Sequence, residues 1–239
     1  MKQITIVQLY PNDMNIYGDW GNTLTLLQRT KWHGYQPLLI NYNVGDEFPT
    51  HPDIIVGGGG QDSGQAKISK DLLALGPTLK NLADNGTPML MICGLYQQFG
   101  HFFKTKDGHT LPGIGVLDIE TRAGNERLIG NIITESPDFG TIIGYENHSG
   151  LTTLGSNAAP LGTIIKGAGN NGQDSTEGAR YKQVIGSYLH GSLLPKNPKI
   201  ADYLISQACE RAFGSFAPTH TIDDQFAHHA RAVHSKRPR

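Results

Sequence analysis

Cys93 stands directly after an apolar run, Pro88-Met-Leu-Met-Ile92, and directly before Gly94 and a helix-like stretch, Leu95 to Phe99. Such a strand-to-helix corner lifts a side chain above the carboxyl edge of a sheet, where open α/β sheets place their sites. The start of a helix also favours a thiolate and lowers the thiol pKa, the logic of a nucleophile elbow. The competing reading is a buried strand-end cysteine. His190 ends a second apolar run, Val184 to Leu189, and precedes Gly191. Were the two strands neighbours, Cys93 and His190 would meet as an activated nucleophile and its proton shuttle. His148, in Tyr145-Glu-Asn-His-Ser-Gly150, competes for the same role.

A third feature is the run Gly57 to Gly60, set between a strand and Gln61-Asp62. It lacks the Gly-Lys-Ser/Thr ending of a phosphate-binding loop and the spacing of a dinucleotide fingerprint. Consecutive glycines let backbone N–H groups approach a ligand, which suits an oxyanion hole; a plain βα turn is the alternative. Metal spacings such as C-x-x-C and H-E-x-x-H are missing. His228, His229 and His234 form a weak metal suggestion that we set aside, so no metal site is expected.

These residues need a scaffold. Ile4–Leu9, Pro37–Tyr42, Asp53–Val56, Pro88–Ile92 and Val184–Leu189 read as strands. Leu24–Lys31, Ser69–Asn85 and Lys199–Phe213 read as helices, the second carrying Leu72, Leu73, Leu75, Leu79 and Leu82. The alternation predicts an α/β fold with a doubly wound, mostly parallel sheet flanked by helices. Between Gly113 and Gly169 the chain is β-rich, with strand-like Ile114–Glu120, Ile129–Thr134 and Gly140–Tyr145 linked by turn residues. This half completes or flanks the sheet. A single domain over residues 1–239 is expected, with 219–239 as a polar C-terminal tail whose Arg231, Lys236, Arg237 and Arg239 are solvated.

Composition bounds the function. The 239 residues are 38% hydrophobic and 17% charged, with 30 glycines and a net charge of −1. This describes a globular chain rich in tight turns rather than a disordered one or a basic nucleic-acid binder. Two cysteines, Cys93 and Cys209, are too few for a disulfide framework, and no apolar run reaches membrane-spanning length. A cytoplasmic protein with reduced thiols is the expectation.

Together the segments resemble the class I (triad-type) glutamine amidotransferases, of flavodoxin-like fold, and within them the cobyric-acid-synthase-like branch. That branch reads Cys-Gly-Gly-Tyr-Gln at its nucleophile; here it is Cys93-Gly94-Leu95-Tyr96-Gln97. Leu95 replaces the second glycine, and Met91 fills a usually small site. Tyr188-Leu189-His190-Gly191 matches the branch as well. Tyr17-Gly-Asp-Trp-Gly-Asn22, Gly58-Gly-Gly-Gln-Asp62, Glu146-Asn-His-Ser-Gly150 and His190–Pro198 are similar to the family of glutaminase subunits of lipid II isoglutaminyl synthase.

The resemblance implies roles. Cys93 would form a glutamyl thioester, His190 would be general base and acid, and the N–H groups of Gly59 and Gly94 would hold the oxyanion. Gln97 and Arg127 would contact L-glutamine; a bidentate cation suits its α-carboxylate. Many relatives place a glutamate two residues after the histidine, where this chain has Ser192. Asp19, which follows the first strand, is the candidate third member, and Glu146 the runner-up. The resemblance also implies a heterodimer with a Mur-ligase-like synthetase (MurT), which would hold the ATP and Mg²⁺. No ATP motif is found in this chain. Another acceptor, as in cobyric acid synthase, remains open, as do a non-catalytic α/β binding module and a cysteine peptidase or deglycase on the same fold.

Overall fold

The computed structural model describes residues 2–238. In chain order the elements are β1 (Gln3–Leu9), α1 (Trp20–Trp32), β2 (Gln36–Tyr42), β3 (Ile54–Gly57), α2 (Asp62–Asp84), β4 (Met89–Ile92) and α3 (Gly94–Gln98). Then come β5 (Phe102–Lys104), β6 (Thr110–Pro112), β7 (Ile119–Ser136), β8 (Gly140–Leu154), β9 (Gly162–Lys166) and β10 (Thr176–Glu177). The chain ends with β11 (Ala179–Tyr181), β12 (Val184–Ser187), β13 (Leu189–His190), α4 (Leu193–Lys196), α5 (Pro198–Phe213) and α6 (Gln225–Ser235).

One sheet has the order β11-β12-β4-β3-β1-β2, parallel throughout except for β11 at the edge. Its inner strands are apolar on both faces: Ile54, Ile55 and Val56 of β3 and Met89 to Ile92 of β4 are all buried. That is the mark of a parallel sheet covered on both sides. The crossover from β1 to β2 steps one way and that from β3 to β4 steps the other. Since such crossovers are right-handed, α1 and α2 cover opposite faces. β1 and β3 are therefore the neighbours from which the chain departs in opposite directions, and a crevice opens at their carboxyl ends. The buried stripe of α2, Ile68, Leu72, Leu75, Leu79 and Ala83, keeps helical spacing.

Several expected boundaries move. α1 begins at Trp20, not Leu24, and its buried positions include Asn22, Thr23, Arg29 and Thr30, so apolar periodicity could not reveal it. The buried Arg29 is held by Asp202 and Asp224 at 2.6 Å each. α2 starts at Asp62, directly after the glycine run, rather than at Ser69. The two strand-like runs before Thr134 are one long strand, β7; Ile114–Asp118 precede it outside any strand. The turn residues Gly124 and Asn125 lie instead in an irregularity of the β7–β8 pairing between Ala123 and Leu128.

The run Val184–Leu189 is also not one strand. β12 ends at Ser187 in the parallel sheet, and after Tyr188 the chain pairs with β8 in the second, β-rich sheet through Leu189↔Glu146 and His190↔Tyr145. Glu177 fastens this corner: one carboxyl oxygen accepts the Ser187 hydroxyl at 2.6 Å and the Tyr188 N–H at 3.0 Å. Burial pushes Glu177 up from 4.5 to about 7, helped by neighbouring Glu146 and opposed by those two hydrogen bonds. A raised carboxyl pKa means that the folded state holds a proton the unfolded chain releases. The contribution is complete below 4.5 and lost as pH rises through 7, roughly 3 kcal/mol in all. Stability measured by urea unfolding should thus fall between about pH 4.5 and 7, and Glu177→Gln should flatten that slope. An equal slope in the variant would show that other groups set it.

The C-terminal segment is largely exposed, Lys236 and Arg237 included, but Arg231 is not solvated as its charge suggests. α6 docks on the second sheet, with Arg231 donating to the carbonyls of Lys196 and Thr141 and to Asn197 Oδ1. His234 is buried and bonds the Gly144 carbonyl. Lys236 and Arg237 follow it, and Arg239 lies outside the described residues. Cys209 is buried in α5. No helix among the described residues is long and apolar enough to cross a membrane.

Candidate active site

A cleft of about 440 Å³ opens at the crevice, lined among others by Tyr17, Gln65, Cys93, Gln97, Arg127 and His148. Cys93 sits at its floor on the corner between β4 and α3. Its backbone has φ 50° and ψ −101°, the left-handed side that a non-glycine residue adopts only under strain, at a cost of about 1–3 kcal/mol. The strain is held by backbone bonds on both sides: Cys93 N–H donates to Ser187 and Gln97 N–H to Cys93, each at 2.9 Å. The two unusual residues of this corner have their space made elsewhere. A Cβ on Gly57 would lie 2.2 Å from Leu95 Cδ1 and 3.2 Å from Met91 Sδ. Gly57 thus makes room for the bulk of Leu95 and Met91.

β12 lies beside β4, so its continuation carries His190 to the same place. His190 is fully buried, and its Nδ1–H is shared by the two Asp19 oxygens at 3.1 Å each. This fixes the tautomer and leaves Nε2 as the working nitrogen; Nε2 is buried and has no hydrogen bond among the described residues. Burial opposes an imidazolium here. The Cys93 thiolate and the Asp19 carboxylate outweigh it and raise the His190 pKa above the ordinary imidazole range. The Tyr17 ring stands edge-on to His190, 5.0 Å between centroids.

The carboxylate therefore falls to His190 and not to His148, whose Nδ1–H donates to the Gly150 carbonyl at 2.8 Å. Glu146, the runner-up third member, accepts the N–H groups of Ala168 and Gly169. Ser192 bonds the Gly18 carbonyl. Asp19 has a second partner: Gly59 N–H donates to its Oδ2 at 2.7 Å. This corrects the expected oxyanion pair, because the Gly59 N–H is already engaged. The neighbouring Gly60 N–H makes no hydrogen bond among the described residues, and it lies 3.0 Å from where a Cβ on Gly94 would stand. Gly60 N, unengaged, thus lies against the Gly94 corner that follows Cys93, which makes Gly60 and Gly94 the candidate oxyanion pair.

Gly59 keeps a different duty. A Cβ there would meet His190 Cε1 at 2.7 Å and Cys93 Cβ at 3.2 Å, so imidazole and thiol close over a residue without a side chain. Gly59→Ala should cut glutamine turnover by about 100-fold, since a displacement near 1 Å costs that much. The melting temperature should shift by only a few degrees. Unchanged turnover would show that the pair tolerates separation.

Arg127 lines the same cleft from within the β7–β8 irregularity; such irregularities re-aim side chains beside active sites. Its Nε donates to Asn147 Oδ1 at 2.6 Å and its Nη2 to Tyr17 OH at 2.9 Å. Gln97 is buried in the cleft wall, accepting from Gln65 Nε2 at 2.7 Å and donating to Tyr188 OH at 3.1 Å. The sequence reading missed Gln65 and gave Tyr188 and Gly60 only as members of motifs, without a role of their own. Gln65 and Tyr188 meet Gln97 across 32 and 91 positions of the chain, and no local pattern links them.

A cysteine, a histidine and a carboxylate in this order, with N–H donors beside the sulfur, can open an amide through a thioester. The model of the CobB/CobQ-like glutamine amidotransferase domain matches residues 5–198. The chain belongs to this family. As a CobB/CobQ-like glutamine amidotransferase it is a glutamine-hydrolysing enzyme, and the matched stretch contains Asp19, Cys93, Arg127 and His190.

Among its relatives is the protein named lipid II isoglutaminyl synthase (glutamine-hydrolyzing) subunit GatD of Staphylococcus aureus (strain N315). It is 40% identical over 98% of this chain and 95% of its own length. The protein of the same name from Streptococcus pneumoniae is 38% identical over 89% of this chain and 83% of its own. A cobyric acid synthase of Limosilactobacillus reuteri is 28% identical over 70% of this chain but only 34% of its own length. A solved glutamine amidotransferase superposes with a TM-score of 0.59 at 15% identity, over 84% of this chain and 98% of that one. A glutamine amidotransferase from Thermotoga maritima gives 0.55 at 14%, over 97% and 93%. The solved neighbours agree on the fold alone: an α/β, flavodoxin-like class I architecture.

Proposed function

We propose that this CobB/CobQ-like amidotransferase is the glutaminase subunit of a lipid II isoglutaminyl synthase. The observation that carries the chemistry is the buried Asp19–His190 pair beside Cys93, with Arg127 lining the same cleft as Cys93. The Cys93 thiolate attacks the side-chain carbonyl carbon of L-glutamine, and the N–H groups of Gly60 and Gly94 receive the developing oxyanion. The His190 imidazolium gives its Nε2 proton to the amide nitrogen as the C–N bond breaks. Ammonia leaves and a glutamyl thioester remains. His190, now neutral, takes a proton from water; the hydroxide opens the thioester, and glutamate departs with the thiolate restored. Arg127 holds the α-carboxylate, and Gln97 lies along the cleft wall.

The acceptor rests on likeness. Two relatives bearing the isoglutaminyl synthase name align over most of both chains, whereas the cobyric acid synthases are far longer than this chain. In this reading the ammonia passes to a Mur-ligase-like synthetase (MurT), the other half of a heterodimer. That subunit holds ATP and Mg²⁺ and activates the D-glutamate α-carboxylate of lipid II for conversion to D-isoglutamine, a step of peptidoglycan synthesis in the cytoplasm. Affinity capture from the native extract should recover such a synthetase. Recovery of a corrinoid-synthesis enzyme instead would overturn the acceptor and leave the glutaminase chemistry standing.

A further inference from the structure

His148 is only 2% exposed and lines the same cleft as Cys93 and Arg127. Its Nδ1 bonds a carbonyl, so Nδ1 carries the proton and Nε2 offers a lone pair. That Nε2 is buried without a partner, and leaving a buried acceptor unpaired is costly. The plane of the ring is set by flat stacking on Tyr188, 3.6 Å between centroids and 4° between planes, and its sense by the Nδ1 bond to Gly150. Burial, with the nearby positive charges of His190 and Arg127 acting the same way, pushes its pKa down to about 3, against the Gly150 and Gly169 carbonyls, which favour the protonated ring. It therefore stays an acceptor at any working pH.

The geometry assigns His148 Nε2 as the hydrogen-bond acceptor for the α-ammonium group of bound glutamine. The assignment rests on the glutaminase reading above. A glutamine with its carboxamide at Cys93 and its α-carboxylate at Arg127 carries the ammonium on the same carbon as the carboxylate. The acceptor must then stand close to Arg127. His148 does: the preceding residue, Asn147, holds the guanidinium, and His148 is paired in register with Leu128, next to Arg127. The other buried acceptor without a partner on the cleft wall, Gln65 Oε1, belongs to the opposite end. A Cβ on Gly94 would come within 2.6 Å of Gln65 Nε2, which puts that amide beside the nucleophile corner. Asp62, the remaining acidic competitor on the wall, is exposed, in the first turn of α2.

The test compares L-glutamine with 4-carbamoylbutanoate, which is glutamine without its α-amino group, on the protein together with any subunit that co-purifies. The wild type should favour glutamine in kcat/KM by about 10–100-fold, the range for a charge-assisted hydrogen bond. His148→Phe should lose that factor for glutamine, chiefly in KM, and leave 4-carbamoylbutanoate unchanged; His148→Gln, which keeps an acceptor, should recover part of it. An equal loss for both compounds, or a preference removed by Asp62→Asn and retained in His148→Phe, overturns the assignment.

A second readout needs no change at His148. In Cys93→Ala protein, the ¹⁵N resonance of His148 Nε2 should shift toward a hydrogen-bonded value with glutamine and not with 4-carbamoylbutanoate. The same response to both, or none, overturns the assignment. Absence of glutamine turnover in the wild type would instead bring down the glutaminase reading itself.

Discussion

Cys93→Ala should lower glutamine hydrolysis by at least about four orders of magnitude and leave the fold standing. The size follows from the mechanism: without sulfur no thioester forms, and removing a nucleophile from a unit of this kind costs 10⁴–10⁶-fold. The fold should survive because the side chain is small and the elbow is held by backbone bonds from Ser187 and Gln97, which alanine keeps. The strained φ of 50° remains, so little strain is released. Glutamate release, read beside circular dichroism and the melting temperature, checks both halves. Residual turnover near the wild-type level would sink the thioester mechanism.

The second large effect concerns Asp19 and Ser192. Asp19→Asn should cost about 10²–10⁴ in kcat, by analogy with loss of the orienting carboxylate in serine proteases. The carboxylate accepts two donors, His190 Nδ1–H and Gly59 N–H. An asparagine has only one oxygen. Turned to His190, it sets an NH₂ against the Gly59 N–H; turned to Gly59, it sets the NH₂ against the imidazole and reverses its tautomer. Ser192→Ala removes one hydrogen bond to the Gly18 carbonyl and should cost about 1 kcal/mol of stability and under tenfold in kcat. The rank order decides. If Ser192→Ala is the worse of the two, Asp19 is not the orienting group.

What could be read without coordinates divides by range. Cys93 and His190 each end an apolar run, and the βα alternation puts both at one sheet edge, so their meeting was legible. Asp19 was reachable by the same rule, since it follows β1. The boundary of α1 was not, because its buried side includes the polar Asn22, Thr23 and Arg29, and the partners of Asn22 and Arg29 lie far along the chain. The break at Tyr188 was invisible too: Val184 to Leu189 is uniformly apolar enough for one strand, and the residue that turns it, Glu177, lies on another segment. The duty of Gly59 could not be assigned because a four-glycine run gives no hint which N–H faces a carboxylate. Arg231 read as solvated only because charge says nothing about carbonyls waiting to receive it.

The break at Tyr188 has a wider meaning. The nucleophile is rooted in the parallel sheet, while the histidine is the last residue of a strand belonging to the other sheet. Neither half of the chain possesses the active centre; it exists only along the seam. A fragment, a grafted half or a domain exchange cut between the sheets inherits none of the chemistry, however well each piece folds.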